Sequence, residues 1–304
     1  MLVVPSVFGR VTSSWRRVTV HTNQDGSRPR SLEPDRPLRV ACYNIAHGRG
    51  LVESNWEGGD RAARIARLDR IAELLRDINA DVVVLNEVDF DSSWSYSVNQ
   101  ARYLARKAGY SHWVEQRNLD LGLVIWKWRF GNAILSKYPI ENARVTDLPG
   151  YSTWETVLAG KKRAVACDIK VGDRSVCLVG AHLSHRSEAV RVRSVAALVD
   201  VAAKSNLPTI VAGDLNSSPP TFPESVQDAN GNNAIAALDK AGWFQRTPTS
   251  LITANDMTYH SRQPSRVIDW IVIPPKWQFL HYQVKSSKLS DHRPVVADIA
   301  FGRP

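Results

Sequence analysis

Thr209-Ile210-Val211-Ala212-Gly213-Asp214-Leu215-Asn216-Ser217-Ser218-Pro219-Pro220 runs from apolar, largely β-branched residues into a carboxylate, an amide and a turn. Thr209 to Ala212 read as a short buried strand, Gly213 admits a close neighbour to the backbone, and Ser-Ser-Pro-Pro ends any sheet. In extended geometry Asp214 and Asn216 point the same way, with Leu215 opposite. A carboxylate beside an amide suits a hard metal ion or a phosphate oxygen. Taken singly the stretch reads equally well as a capped turn, because Asp and Asn bond their own backbone in turns.

The segments around it read as strands alternating with helices. Residues 187–204 have the spacing of a helix, and before them 163–171 and 175–182 resemble a hairpin across a Gly-Asp turn. Further upstream, Leu38 to Asn44 is a strand. Residues 61–78 repeat Ile65, Leu68, Ile71, Leu74, Leu75 and Ile78 at helical spacing, and 81–87 is a buried strand. Arg64, Arg67, Arg70 and Arg76 fall largely off the apolar stripe and read as a solvated face. A helix over 97–108 stops at Gly109. The aromatic residues Trp113, Trp126, Trp128 and Phe130 read as core and sheet-edge packing rather than base stacking. Residues 220–265 are loop-rich, with a short helix near 232–241, and 266–273 and 293–301 close the chain as strands. A strand, helix, strand order of this kind specifies a mixed α/β sheet.

At 304 residues the chain has room for one large α/β domain with a full core. It is 43% hydrophobic and 23% charged, and no apolar run approaches the length of a membrane span, so no membrane insertion is expected. The formal charge of +9 is concentrated at the start: seven arginines in the first forty residues face only Asp25, Glu33 and Asp35. The remaining surplus suits a phosphate-ester substrate, nucleic acid among the candidates, without being diagnostic of DNA. Residues 1–37 lack periodicity and read as a mobile or weakly ordered leader, with order beginning near Leu38 and a single domain over 38–304. Cys42, Cys167 and Cys177 fall inside strands and read as buried free thiols of a reducing, cytoplasmic setting. No protein partner can be inferred.

Polar residues recur where these strands end. Asn44, Glu87, His182 and Asp214 each follow an apolar run, Asp269 sits early in its run, and Asp291-His292 precede the last. If the two closing strands run antiparallel to the others, all of these residues meet at one edge. Glu87, Asp214 and Asp291 with the amides Asn44 and Asn216 would form an oxygen-rich pocket for Mg²⁺ or Mn²⁺ rather than zinc. His292 beside Asp269 has the makings of an oriented general base. Each residue has an ordinary alternative, such as a strand-end cap or a core histidine, but six such placements together favour a site.

Tyr43-Asn44, Leu85-Asn86-Glu87, Gly131 to Ser136, Gly180-Ala181-His182-Leu183, Gly213 to Asn216, Ile268-Asp269-Trp270 and Ser290-Asp291-His292-Arg293-Pro294 together resemble the endonuclease/exonuclease/phosphatase superfamily, in the same order. The resemblance implies a four-layer α/β sandwich, two mixed β-sheets packed face to face with helices outside, and metal-dependent phosphate-ester hydrolysis by in-line attack of water. It implies that Glu87 holds Mg²⁺ or Mn²⁺ with Asn44 and Asp291 near it, that Asp214 and Asn216 position water and phosphate, that His292 oriented by Asp269 is base or phosphate contact, and that His182 donates to a phosphate oxygen. Asn86 stands where the family usually has Gln. The tyrosine with which abasic-site nucleases touch phosphate has no clear match, whereas His182 resembles the arrangement in pancreatic-type deoxyribonucleases and sphingomyelinases. A nuclease-like phosphodiesterase is the first expectation. A phosphatase or phospholipase on a phosphoinositide or sphingomyelin-type substrate is the second, and a catalytically silent binding protein the third.

Overall fold

Alternation of apolar side chains along the strands decides the layering, because a strand with apolar residues on both faces must be covered on both sides. The computed structural model describes residues 18–23, 36–123, 126–152, 160–250 and 252–302. One sheet is built from β1 (Val18–Thr22), β2 (Leu38–Asn44), β3 (Val82–Asp89), β4 (His112–Leu123), β5 (Trp126–Ser136), β12 (Gln278–Val284) and β13 (Val295–Ala300), in the order β1-β4-β5-β3-β2-β13-β12. The other is built from β6 (Ile140–Asp147), β7 (Arg163–Val171), β8 (Arg174–His182), β9 (Thr209–Asp214), β10 (Gln245–Arg246) and β11 (Asp269–Ile273), in the order β10-β11-β9-β8-β7-β6.

Val82 and Val84 turn inward and pack with Val165, Ile210 and Ile271 of the second sheet. Val83 and Leu85 turn outward under Leu68, Ile71 and Leu75 of α1 (Arg61–Ile78) and Leu104 of α2 (Gln100–Ala108). On the far side Val179 and Val211 pack beneath Leu198 of α3 (Glu188–Lys204) and Leu238 of α4 (Ala234–Ala241). Fully burying each such side chain contributes roughly 1.5–3 kcal/mol, so the doubly apolar strands hold the helix, sheet, sheet, helix stack together. This is the expected four-layer sandwich. The helices also start and stop where their sequence signals lie: Asp60 and Asn99 cap the N-termini of α1 and α2, and Gly109 ends α2 in left-handed backbone at φ 80°.

Strand direction places the chemistry. β2 is parallel to β3 and β8 to β9, while β13 is antiparallel to β2 and β11 to β9. The final residues of four strands and the first residues of two therefore share one edge of the molecule. Gly213 marks a tight crossing there: a Cβ at its position would lie 2.1 Å from the Ala181 carbonyl oxygen, and its φ is +134°. Gly213→Ala is expected to cost about 1–3 kcal/mol or more in urea unfolding, because neither carbonyl nor backbone has room to yield.

Several details depart from the sequence reading. Order begins before Leu38, since Val18–Thr22 pair antiparallel with β4 and His21 stacks on Trp113 at 5.0 Å. A five-residue strand reads as leader because its pairing partner lies far downstream. The rest of the expected leader, residues 1–17 and 24–35, lies outside the described residues, as does Trp154. The arginines of α1 are not a uniformly solvated face: Arg64 is buried and donates to the Asn55 carbonyl, and Arg67 donates to those of Gly48 and Gly58 at 2.8 and 3.0 Å. The polar loop before the helix leaves carbonyls without strand partners, and the guanidiniums supply the donors. Among the aromatics, Trp113 is core as expected, but Trp126 is exposed. β12, at a sheet edge, turns Phe279, Tyr282 and Val284 to the core and exposes the residues between them, and a bulge between Phe279 and His281 interrupts that alternation. The three cysteines are buried and free. Among the described residues no helix is long and apolar enough to cross a membrane.

Candidate active site

Register across the second sheet aligns three of the expected residues. His182 pairs with Asp214, and Asp214 with Asp269, so their side chains stand in one row across β8, β9 and β11. His292, just before β13, reaches in from the first sheet. Its Nδ1 lies 2.9 Å from Asp269 Oδ2 and its Nε2 3.7 Å from Asp214 Oδ2, while His182 Nε2 lies 3.6 Å from the same Asp214 oxygen. The two histidines thus flank one carboxylate. Asp269, fully buried, keeps its other oxygen without a hydrogen-bond partner.

Glu87 joins from β3 through a bulge. The β3–β5 register shifts between Leu85 and Val88, and Glu87 sits in left-handed backbone at φ 51°. An extra residue at a sheet edge re-aims a side chain, here out of the strand row and toward the neighbouring loops. Asn44 Nδ2 donates to Glu87 Oε1 at 3.3 Å and to Asp214 Oδ2 at 3.1 Å, and its Oδ1 accepts from the Ala46 N–H. That backbone bond fixes the amide orientation, so Asn44 clamps two carboxylates and does not offer them an oxygen. Arg49 spans the other pair, with its guanidinium 3.1 Å from Glu87 and 3.4 Å from Asp291.

The residues present fit a hard divalent ion. Glu87 and Asp291 converge on one cationic group, and Asp214, Asp269 and His292 offer ligand atoms within 4.8 Å of one another. Carboxylate oxygens dominate both sets and neither includes a thiolate, donors that suit a hard divalent ion.

Burial and charge set the protonation states. Burial acts to lower His292, but Asp269, Asp214 and Asp291 outweigh it and push it up to about 10, which makes it an imidazolium at neutral pH. Burial pushes Asp214 up to about 7, with His292 opposing the rise and Asp269 adding to it. Glu87 goes the other way: burial acts to raise it, yet the charges of His47, Arg49 and His292 hold it well below the usual carboxylate range. Burial and Lys162 push His182 far below the ordinary histidine value and keep it neutral. The edge thus holds one carboxylate poised near neutrality between a cationic and a neutral histidine.

Asn216 lies at the rim, with φ 52°, its N–H donating to Asp214 Oδ1 at 2.9 Å and its side chain to the Leu183 carbonyl at 3.2 Å. The turn behind it is anchored by Glu188, which accepts from Ser217 Oγ at 2.7 Å, from the Ala234 N–H at 2.6 Å and from Arg191 Nε at 2.6 Å. Asn86 has a purpose of its own: its Oδ1 accepts from the Asp214 N–H at 2.9 Å and its Nδ2 donates to Asn132 and to the Ala181 carbonyl, stitching the two sheets. All eight expected residues therefore reach this edge.

Three further residues belong to it. His47 is buried with Nδ1 2.7 Å from Asp89 Oδ1 and Nε2 3.4 Å from Glu87. Burial acts to lower it, and Asp89 and Glu87 raise it above the ordinary value. The Asp89–His47–Glu87 chain mirrors Asp269–His292–Asp214. Sequence reading left His47 and Arg49 in a loop and ended the strand at Glu87, short of Asp89; the one available signal was their closeness in the chain to Asn44 and Glu87. A cleft of about 210 Å³ opens beside Glu87, lined in part by His47, Phe130, Lys162, His182 and His185. A larger groove of about 840 Å³, between Arg174, Leu207, Trp243 and Pro274, lies at the opposite end of β8 and contains none of these groups.

The chain is similar in fold to several solved structures. An endonuclease/exonuclease/phosphatase from Beutenbergia cavernae DSM 12333 is 21% identical, with a TM-score of 0.62 over 88% of this chain and 72% of that one. A mannosyl-6-phosphatase of Bacteroides thetaiotaomicron VPI-5482 is 19% identical, with a TM-score of 0.63 over 87% and 100%. The catalytic domain of human nocturnin, solved with a bound sulfate anion, is 18% identical, with a TM-score of 0.60 over 94% and 98%. No curated protein matches. The sequence profile described as the Endonuclease/Exonuclease/phosphatase family matches residues 41–292, a span that takes in every site residue named above, and by that match the chain belongs to this family of phosphoesterases.

Proposed function

We propose that the chain hydrolyses a phosphodiester by in-line attack of an activated water, with a nucleotide-type ester favoured over phosphosugar or phospholipid. The observation that carries this is the Asp269–His292–Asp214 chain facing Asn44 and Glu87 across one edge. Asp214, with a proton affinity near neutrality, takes the proton of the attacking water, and Asn216 beside it orients that water. His292, held cationic by Asp269, donates to a phosphoryl oxygen as negative charge builds there, and neutral His182 donates to another. Glu87 and Asp291 would hold Mg²⁺ or Mn²⁺, with Asn44 fixing the Glu87 carboxylate. A divalent ion in such a site supplies Lewis-acid stabilisation of charge on the phosphoryl and leaving oxygens.

Chelation is the direct test. EDTA should abolish release of p-nitrophenol from bis(p-nitrophenyl) phosphate, and Mg²⁺ or Mn²⁺ should restore it; hydrolysis persisting in EDTA would refute the metal requirement. The mannosyl-6-phosphatase likeness puts a phosphosugar beside a phosphoinositide, sphingomyelin, RNA and DNA in the substrate panel that chooses among esters.

The pH profile follows from the same groups. Asp214 must be ionised to accept a proton, and His292 must be protonated to donate one. kcat/KM should therefore rise as Asp214 loses its proton around pH 7 and fall as His292 loses its own toward pH 10. Asp269→Asn removes the foremost of the charges that raise His292, so the alkaline limb should move to lower pH. An unmoved limb would detach His292 from the rate.

A further inference from the structure

A row of aromatic rings leads from Glu87 to the surface. His47 meets Phe130 at 5.3 Å and Trp94 at 6.0 Å, both edge-on. Trp94 stacks on Trp128 at 6.2 Å and meets Trp56 at 6.2 Å, and Trp56 meets Trp126 at 5.6 Å. The inner end is pinned, since Trp94 Nε1 donates to Asp89 Oδ2 at 2.8 Å, the carboxylate that also holds His47. The outer end is open: Trp56 is 54% exposed and Trp126 47%. Their planes are inclined by 66°, so neither indole face is used up in stacking on the other. Two large apolar rings left in water at the end of a fixed row have no packing rationale, and exposed apolar patches of this kind mark binding sites.

We propose that Trp56 and Trp126 form a stacking subsite for the base of a nucleotide whose phosphate lies between Glu87 and His292. The inference rests on the phosphodiesterase reading and deepens it. Only Trp94 lies between Trp56 and His47 in the ring row, with ring contacts of 6.0 and 6.2 Å, so the open indoles stand beside the path of a base tethered to a phosphate at Glu87. The occupant must offer a flat π surface, which every base does, and stacking of this kind tolerates any base. The charges around Trp56 and Trp126 are mixed, Glu53, Glu57 and Asp60 with Arg61 beside them and Lys127 next to Trp126, so the flat indole faces and not the charge select the occupant.

The test compares thymidine 5′-(p-nitrophenyl phosphate) with the same deoxyribose ester lacking the base. The parent protein should prefer the base-bearing ester by roughly 5- to 150-fold in kcat/KM, the range expected for one base on aromatic side chains. Trp56→Ala/Trp126→Ala should bring that ratio toward one, whereas Trp243→Ala, an exposed tryptophan on the opposite groove, should leave it in place. Saturable quenching of tryptophan fluorescence by thymidine 5′-monophosphate, lost in the double variant, reports the same subsite without turnover. If neither ester is cleaved, the hydrolase reading fails while the quenching still decides the subsite. Equal rates on the two esters, an unchanged ratio in the double variant, or the absence of saturable quenching would overturn the proposal. So would tryptophan-dependent sedimentation with phosphatidylcholine vesicles and no nucleotide effect, which would assign the indoles to a lipid surface.

Discussion

Asp214→Asn is expected to lower kcat on bis(p-nitrophenyl) phosphate by about 10²- to 10⁴-fold, the range of a single proton-transfer role, with KM changed far less. The asparagine keeps the size of the side chain, and its single Oδ1 can still accept from the Asn216 N–H, so the turn should survive, while the bond that Asp214 accepts from Asn44 is lost. What it loses is the capacity to accept a proton at a position where burial has brought that capacity close to neutral pH. Far-ultraviolet circular dichroism of the variant should match the parent. A near-normal kcat would show that the water is activated elsewhere, and His292→Ala, measured alongside, tells whether the imidazolium acts as donor independently of Asp214.

Glu188→Ala is expected to destabilise the fold by about 3–5 kcal/mol in urea unfolding. The carboxylate and Arg191 are both almost wholly buried, with side-chain exposures of 2% and 6%, and Arg191 also donates to the Ser184 carbonyl at 2.7 Å. Truncation leaves the guanidinium buried without its counter-charge and removes the acceptor for Ser217 and for the first backbone N–H of α4. The double variant Glu188→Met/Arg191→Met should cost less than the sum of its single changes, because neither charge then remains unpaired. Activity should fall with Glu188→Ala even well below the unfolding midpoint, since Ser217 is the neighbour of Asn216. Additive costs in the double variant would show that the two side chains act independently.

Much of this site is legible along the chain because each contributing strand is a run of apolar residues with one polar residue at its end. Asn44, Glu87, His182, Asp214, Asp269 and His292 stand out against their own neighbours, and the antiparallel return of β11 and β13 brings them together as their positions require. His47 and Arg49 do not stand out. They lie in a polar loop, where any histidine or arginine passes for a surface residue, and only the fold turns that loop inward onto Asp89 and Glu87. Asn86 shows the same limit from the other side: the residue type is visible, but its purpose as a bond between two sheets is not. β1 and β12 escaped for related reasons: β1 is five residues long and owes its existence to a partner distant in sequence, and a bulge between Phe279 and His281 interrupts the alternation of β12.

The order of apolar runs, caps and breakers determined the element order and the four-layer class, because periodicity and local hydrogen bonding act over a few residues and are written in the chain directly. The same runs marked which polar residues stand at strand ends. Only the tertiary structure decided what those residues are: that Asp214 is a carboxylate with a proton affinity near neutrality, that Asn44 clamps where an oxygen ligand was expected, that His47 mirrors His292, and that Trp56 and Trp126 meet at the surface. Proton affinity, amide orientation and ring contact depend on burial and on charges brought together from distant segments, and no local stretch of sequence contains either.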